Sequence, residues 1–501
     1  MRGAVVLVPS MLMLFLGAWG IRRQDAIWRD EAVTYDMAHR SLAELWPTLM
    51  HVDVVHGLYY ALMHCWFAGY DATLGGVLGD VTGLRLPSVA AMTVAAAGVA
   101  LLGQRLVGRR AGLFAGVTFA LIPVVQQYAQ EGRSYAMVCS LVVWSTYLLV
   151  LAAARPRRKL WVGYAALMLF ACMLHEFAAL ALPAHGAAVI VARLPRRVRR
   201  SWALASVSVL AGLAPLAVFS TRQSAQIGWL MWPDPVQLLT FAVLAVLGVA
   251  AARVPVLPHA SRARVEVPPA VAGGVPPAGP IGLRAIGIPL LLLPTLLLFL
   301  LSYAEPAYVD RYVLYYVAGF ALLAGAALAR LLRPVGERGQ THGRRLRRAA
   351  ALVLVVAALL PVNVHLRSPD SRVDDASAVA RAVREVAEPG DGLLFMPSRR
   401  RIWMAAHPHE FSGLADLALA RSPVESHSLY GTERSGDAIR DRILAVRRIT
   451  VAGDPDDQPV DDNDQEIAKR ATLWDSFEAC ASRGVRGARI TVYARPGECG
   501  R

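Results

Sequence analysis

Residues 4–32 read AVVLVPSMLMLFLGAWGIRRQDAIWRDEA: an apolar run over 4–21, two arginines, and then the motif Trp28-Arg29-Asp30-Glu31-Ala32. An apolar stretch of this length suits one crossing of a hydrocarbon core of about 30 Å. Two adjacent carboxylates directly after it are poorly explained by anchoring or packing, because charge near a bilayer is costly unless it is used. A paired Asp-Glu can take a proton from an acceptor hydroxyl, hold a divalent metal, or divide the two jobs. Arg2 ahead of the run also fits a cleavable leader; in either case the acidic motif starts on the outer side.

Similar apolar stretches recur over the first three-quarters of the 501 residues, at 84–104, 111–128, 135–154, 160–175, 177–193, 202–220, 236–252, 284–302, 312–332 and 349–364. With 55% hydrophobic residues and a mean hydropathy of +0.42, the chain reads as an α-helical polytopic membrane protein with about 11 transmembrane helices. The net charge of +15 does not point to nucleic acid. The basic residues fall in short clusters between apolar runs: Arg105/Arg109/Arg110, Arg155/Arg157/Arg158/Lys159, Arg193/Arg196/Arg197/Arg199/Arg200, and Arg330/Arg333 with Arg344/Arg345/Arg347/Arg348. That alternation places the clusters, the N-terminus and the Pro- and Gly-rich linker 253–283 in the cytoplasm.

The opposite loops hold Asp30-Glu31, Gln130-Glu131-Gly132-Arg133, His175-Glu176 and the segment from Glu305 to Arg311, so the uncommon polar residues are expected on one face of the membrane. Residues 57–70 are apolar but short, with Tyr and Trp anchors, and read as a helix in the outer interface. The expected domains are a transmembrane domain over 1–364, with an outer loop 22–83 carrying the acidic motif, and a small soluble α/β domain over 365–501 outside the membrane. In the latter, apolar spacing predicts a helix over 373–386, and β-like runs lie at 392–397, 448–452 and 488–494. The acidic stretch 454–464 reads as a solvated loop before it reads as a calcium site. Cys65, Cys139 and Cys172 read as small hydrophobes; Cys480 and Cys499 can pair in an exported domain, and no Cys/His spacing suggests zinc.

The motifs resemble the GT-C superfamily of integral-membrane glycosyltransferases, in particular the family 39 group that includes protein O-mannosyltransferases and the lipid A aminoarabinose transferase. Trp28-Arg29-Asp30-Glu31-Ala32 with Thr34 looks like the acidic motif of that group's first outer loop. His56-Gly57-Leu58-Tyr59-Tyr60 with His64 and Trp66 looks like its juxtamembrane helix, and Leu84-Arg85-Leu86-Pro87-Ser88 like the start of its second span. Tyr128-Ala129-Gln130-Glu131-Gly132-Arg133-Ser134-Tyr135-Ala136 resembles its second outer loop, and His175-Glu176-Phe177 and Asp310-Arg311-Tyr312 match later landmarks.

This resemblance implies a cell-membrane enzyme with a polyprenyl-phosphate sugar donor, the lipid tail in the bilayer and the sugar outside. The reaction displaces a lipid phosphate while an acceptor hydroxyl attacks from the opposite side, so it needs a base at the hydroxyl and positive charge at the departing phosphate. Asp30 is expected as the base, with Glu31 orienting the acceptor or holding a metal. The swapped assignment stays open, as does capping of an interfacial helix by both. Arg133 and Arg311 can offer forked donors to phosphate oxygens, with Tyr135 and Tyr312 beside them; snorkelling arginines and aromatic belts are the bland alternatives. Glu131, His56 and His175 are candidate substrate contacts. A divalent cation, magnesium or manganese, would help neutralise the phosphate, although no dedicated ligand set is visible.

The expected function is an inverting glycosyltransferase moving a mannose- or arabinose-like sugar to an extracytoplasmic glycan, glycolipid or protein. The partners are then the lipid donor, membrane lipids and that acceptor, with no nucleic acid. Competing classes are a lipid-linked sugar flippase or transporter and a non-catalytic membrane scaffold. Transporters tend to carry midplane charges and repeated halves, and neither is evident here.

Overall fold

The computed structural model describes residues 3–223, 233, 235–254, 280–304, 308–332 and 342–499, with the side chains of 342–349, 351 and 352 left aside. Most of the expected linker 253–283, Glu305, Arg333 and the side chains of Arg344, Arg345, Arg347 and Arg348 lie outside the described residues. The chain divides into two compact units, and the division does not follow sequence order. One comprises Met1–Trp19 with Arg85–Asn363; the other joins Gly20–Leu84 to Val364–Arg501.

The first unit is helical. Each of the apolar segments expected to span is a helix. Among the described residues, six helices are long and apolar enough to cross a membrane, and a seventh crossing results if Arg109–Leu121 and Pro123–Ala129, bent by 66°, count as one. The other candidates are Arg158–Leu174, with 17 residues, the shorter apolar helices Glu176–Val191 and Tyr316–Leu331, and the 24-residue helix His342–His365, of which Val353–His365 is the apolar part among the described side chains. The expected apolar segments are thus helical, and among the described residues six or seven of them are long and apolar enough by themselves to count as crossings.

Close approach of backbones holds these helices together, as expected where lipid removes the usual hydrophobic drive between them. A Cβ at Gly325 would sit 2.3 Å from the amide nitrogen of Ala115, and one at Gly319 would lie 2.6 Å from that of Leu291. Only glycine lets the helix Tyr316–Leu331 lie this near Arg109–Leu121 and Leu283–Ser302.

The second unit is a mixed α/β structure. Its strands are β1 (Gly392–Met396), β2 (Ala415–Asp416), β3 (Leu419–Arg421), β4 (Thr432–Glu433), β5 (Arg448–Gly453), β6 (Glu478–Val485) and β7 (Ala488–Ala494). A five-stranded sheet runs β2-β1-β5-β7-β6, with β1 parallel to both β2 and β5, and β7 antiparallel to β5 and β6. The expected helix over 373–386 is found at Ala376–Val386, capped by Asp375, whose carboxylate accepts the amides of Ser377 and Ala378. Leu394, Ile449, Val451, Ile439, Ile443 and Leu473 form the core between the sheet and the helices Gly436–Leu444 and Asp464–Ser476.

Cys480 and Cys499 form a disulfide, while Cys139 and Cys172 are buried and Cys65 is exposed. Carboxylates of the acidic stretch are engaged by arginines: Asp454 with Arg399 and Arg400, Asp461 with Arg399, and Asp456 with Arg489. The segment between the first two apolar runs contributes the helices Arg29–His39, Leu42–His51 and Gly57–Tyr70 to this same unit.

Candidate functional site

The acidic pair opens the helix Arg29–His39, in the first turn, where carboxylates complement the positive end of the helix dipole. The two side chains meet different surroundings. Asp30 stays partly exposed, with Arg29 Nε 3.9 Å from its carboxylate, while Glu31 is fully buried with Arg23, Nη1 to Oε2 at 3.9 Å. Arg23, Gln24 and Asp25 all sit in the left-handed region, at φ 48°, 56° and 59°. Each such non-glycine residue costs roughly 1–2 kcal/mol, so this run is held by its surroundings.

The helix start has no side-chain cap of its own, because its N-cap residue is Trp28. The Arg29 amide instead donates to Asp374 Oδ1 at 2.8 Å, from a position 345 residues away. The second oxygen of Asp374 faces Arg400 Nη1 at 3.3 Å, and Arg400 also pairs with Asp454 and lies over the Trp403 ring. Burial raises the Asp374 carboxyl above the ordinary range, against the pull of Arg29 and Arg400, and burial lowers the Arg400 guanidinium. Two further bonds tie the approach to the motif: Ala376 N donates to Ile27 O at 2.7 Å, and Ser377 Oγ to Asp25 O at 2.7 Å. The far end of the helix is tied as well, with Arg40 donating to Asp36 and to the carbonyl of Ser428.

His56, also in this unit, is oriented by a residue the sequence reading did not single out. Asp53, left-handed at φ 58°, holds His56 Nδ1 at 2.7 Å with one oxygen and the Tyr60 hydroxyl with the other.

The first unit gathers the cationic candidates. Arg311 Nε donates to the Tyr135 hydroxyl at 3.2 Å, and its guanidinium lies over the rings of Tyr135 and Tyr312. His175 packs 4.5 Å from Tyr312 and 5.6 Å from Tyr135, and Phe177 stacks on Tyr312. Asp310 fixes the base of this group, accepting from the Arg311 amide at 2.7 Å and from the Tyr128 hydroxyl at 3.1 Å. Glu131 and Arg133 are buried on the loop between Tyr128 and Tyr135, where Ser88 Oγ donates to the carbonyl of Glu131 at 2.6 Å. Four of the candidates, Arg311, Tyr312, Tyr135 and His175, are thus brought together from three separate parts of the chain. Tyr128, Phe177 and Asp310 stand inside the quoted motifs without having been assigned a role.

Among the described residues, no group of three or more His, Cys, Asp or Glu could hold a metal ion. Asp30 and Glu31 are consecutive on a helix, and Glu31 is occupied with Arg23, so the pair does not make a cation site by itself.

Residues 60–221 match the family model for dolichyl-phosphate-mannose-protein mannosyltransferase, which is less than half of the chain. No curated protein sequence matches the chain. Among solved structures, ArnT from Cupriavidus metallidurans bound to undecaprenyl phosphate superposes with a TM-score of 0.59 at 13% identity, covering 100% of both chains. The same protein in the apo state gives 0.51 at 14% identity over 86% of each chain. The apo oligosaccharyltransferase of Archaeoglobus fulgidus gives 0.47 at 12% identity, over 89% of this chain and 69% of that one. At these identities the likeness is one of fold. The chain is a multi-pass membrane protein whose fold is like that of these membrane glycosyltransferases, and the family match runs across its second to seventh apolar segments.

Proposed function

We propose that this protein is an inverting glycosyltransferase that moves a mannose- or arabinose-like sugar from a polyprenyl-phosphate donor to an acceptor hydroxyl outside the cytoplasmic membrane. The observation that carries this reading is the seating of Arg311. Its guanidinium is held by Tyr135 and lies over the ring of Tyr312, against which His175 packs, on a scaffold whose structural relative ArnT was solved with undecaprenyl phosphate. A guanidinium fixed in this way presents planar donors to phosphate oxygens without having to reorganise as charge builds on the leaving group.

In this reading the roles divide by chemistry. Asp30, the more exposed carboxylate of the pair, takes the proton from the acceptor hydroxyl as that oxygen bonds to the anomeric carbon. The bond from that carbon to the phosphate oxygen breaks, and the lipid phosphate leaves with its electron pair, its charge met by Arg311 and Arg133. One displacement inverts the anomeric configuration. Glu31 anchors the motif through Arg23, and Asp53 holds the His56 ring in one orientation toward the sugar or acceptor. No step is assigned to a metal.

The test is direct. Purified protein is incubated with a panel of radiolabelled polyprenyl-phosphate sugars and a cell-envelope acceptor fraction, and the product anomer is read by NMR. One donor is consumed, with inversion, and Asp30→Asn slows consumption at least about a hundredfold. No donor consumed by the unmodified protein, or retention of configuration, overturns the reading.

A further inference from the structure

The acidic motif does not complete its own helix. Trp28 supplies no cap, and the amide at the first helical position is satisfied by Asp374, the residue just before the N-cap of another helix and far away in sequence. Where stability of the helix start is all that is needed, a local Ser, Thr, Asp or Asn suffices. Here the whole approach to the motif is instead stitched to the segment 374–377. Asp374 takes the Arg29 amide, Ala376 donates to Ile27 O and Ser377 donates to Asp25 O. Between them these bonds restrain a left-handed run, Arg23 to Asp25, that the chain would not choose alone.

Asp374 is itself fixed from behind. Its side chain is 3% exposed, and its second oxygen is committed to Arg400, which Asp454 and Trp403 hold in turn. Gly487, at φ +73°, leaves room for it, since a Cβ there would come within 2.4 Å of Asp374 Cβ. Both carboxylate oxygens are therefore engaged, and Asp374 is not placed to accept a substrate proton.

We infer that Asp374 is a positioning residue for the acidic pair: the C-terminal α/β region sets the first turn of the helix Arg29–His39, and thereby the place of the Asp30 carboxylate. The inference rests on the reading of Asp30 as the base. An effect on rate is expected because displacing a catalytic group by about 1 Å can cost on the order of a hundredfold.

The test has two readouts on the full-length protein. The first is hydrogen exchange of the amides over residues 29–32, which needs no substrate. Asp374→Ala speeds it roughly five- to tenfold, as loss of a helix cap does, while Asp374→Asn, which keeps a carbonyl acceptor, leaves it within about threefold. The second is turnover, in which Asp374→Ala lowers kcat at least about tenfold with donor KM within about twofold, and Asp374→Asn restores most of it. Arg384→Ala, at the exposed pair with Glu410, leaves both unchanged. Should Asp374→Ala fail to fold, Ser377→Ala and Asp374→Asn carry the same comparison, with a smaller acceleration of the same amides expected from Ser377→Ala. Unchanged exchange in Asp374→Ala, or equal loss of kcat in Ala and Asn variants with a matching fall in melting temperature, overturns the inference. Turnover lost in Asp30→Asn but normal in Asp374→Ala overturns it while sparing the base assignment. Turnover retained in Asp30→Asn removes the base assignment, and with it the catalytic meaning of the cap.

Discussion

Arg311 donates its Nε–H to the hydroxyl of Tyr135 across 176 positions of sequence, and that bond fixes which way the guanidinium plane faces. Arg311→Lys keeps the charge but loses both the bond and the flat face laid over Tyr135 and Tyr312. Donor KM should rise roughly tenfold in Arg311→Lys and by a smaller factor in Tyr135→Phe, where only the acceptor oxygen is removed. Initial-rate kinetics over a range of donor concentrations measures both, and an unchanged KM in Arg311→Lys removes the phosphate contact.

The two carboxylates of the motif should separate by phenotype. Asp30→Asn is expected to lower turnover on the order of a hundredfold to ten-thousandfold while leaving the melting temperature in place, because its side chain is partly exposed. Glu31→Ala removes the buried carboxylate that faces the Arg23 guanidinium at 3.9 Å and should destabilise the fold by about 3–5 kcal/mol. Turnover and thermal unfolding of the purified variants decide this, and a stable, inactive Glu31→Ala would reverse the roles.

Acid should loosen the unit that carries the motif. Ser377 Oγ donates to Asp25 O and lies 2.8 Å from His407 Nε2, and burial holds the His407 imidazole below its ordinary value. A histidine depressed in the folded state binds fewer protons there than in the unfolded chain. Its contribution is complete above about pH 6.5 and is lost as pH falls through the folded value. Melting temperatures from pH 7.5 to 4.5 should fall less steeply in His407→Gln than in the unmodified protein, and parallel profiles would count against His407 as the source.

The interior of the α/β region should punish loss of one charge. Lys469 is fully buried, with Nζ bonded to Phe395 O and paired with Glu466 at 2.7 Å and Glu433 at 2.8 Å. Lys469→Met takes the ammonium from the buried Glu466, which keeps the Ser398 amide, and leaves Glu433 to Arg401, and should cost about 3–5 kcal/mol. Denaturant unfolding followed through Trp403, itself buried in that region, is a suitable readout, and a change under about 1 kcal/mol refutes the expectation.

The sequence disclosed features whose signal is local. Apolar runs announce helices, and the motifs around Tyr135, His175 and Arg311 stand out because polar and aromatic residues interrupt those runs together. Strand β6 was missed because its residues Glu478 to Val485 are small or polar and mostly exposed, with no period to read. Asp53 went unnoticed because its work depends on a backbone conformation, and Asp310 because its partner Tyr128 lies 182 positions away. Asp374 is the sharpest case. Before a helix it reads as an ordinary capping neighbour of Asp375, and nothing near it announces an amide from the other end of the chain.

Gly20–Leu84 and Val364–Arg501 fold as one body although most of the chain separates them. A chimera that grafts only the C-terminal part of another enzyme onto this one would leave Asp25, Ile27 and Arg29 facing foreign partners. Acceptor preference, if it resides in that body, should be transplanted only when both pieces travel together, and random exchange at a single breakpoint near residue 364 should yield inserted but inert hybrids.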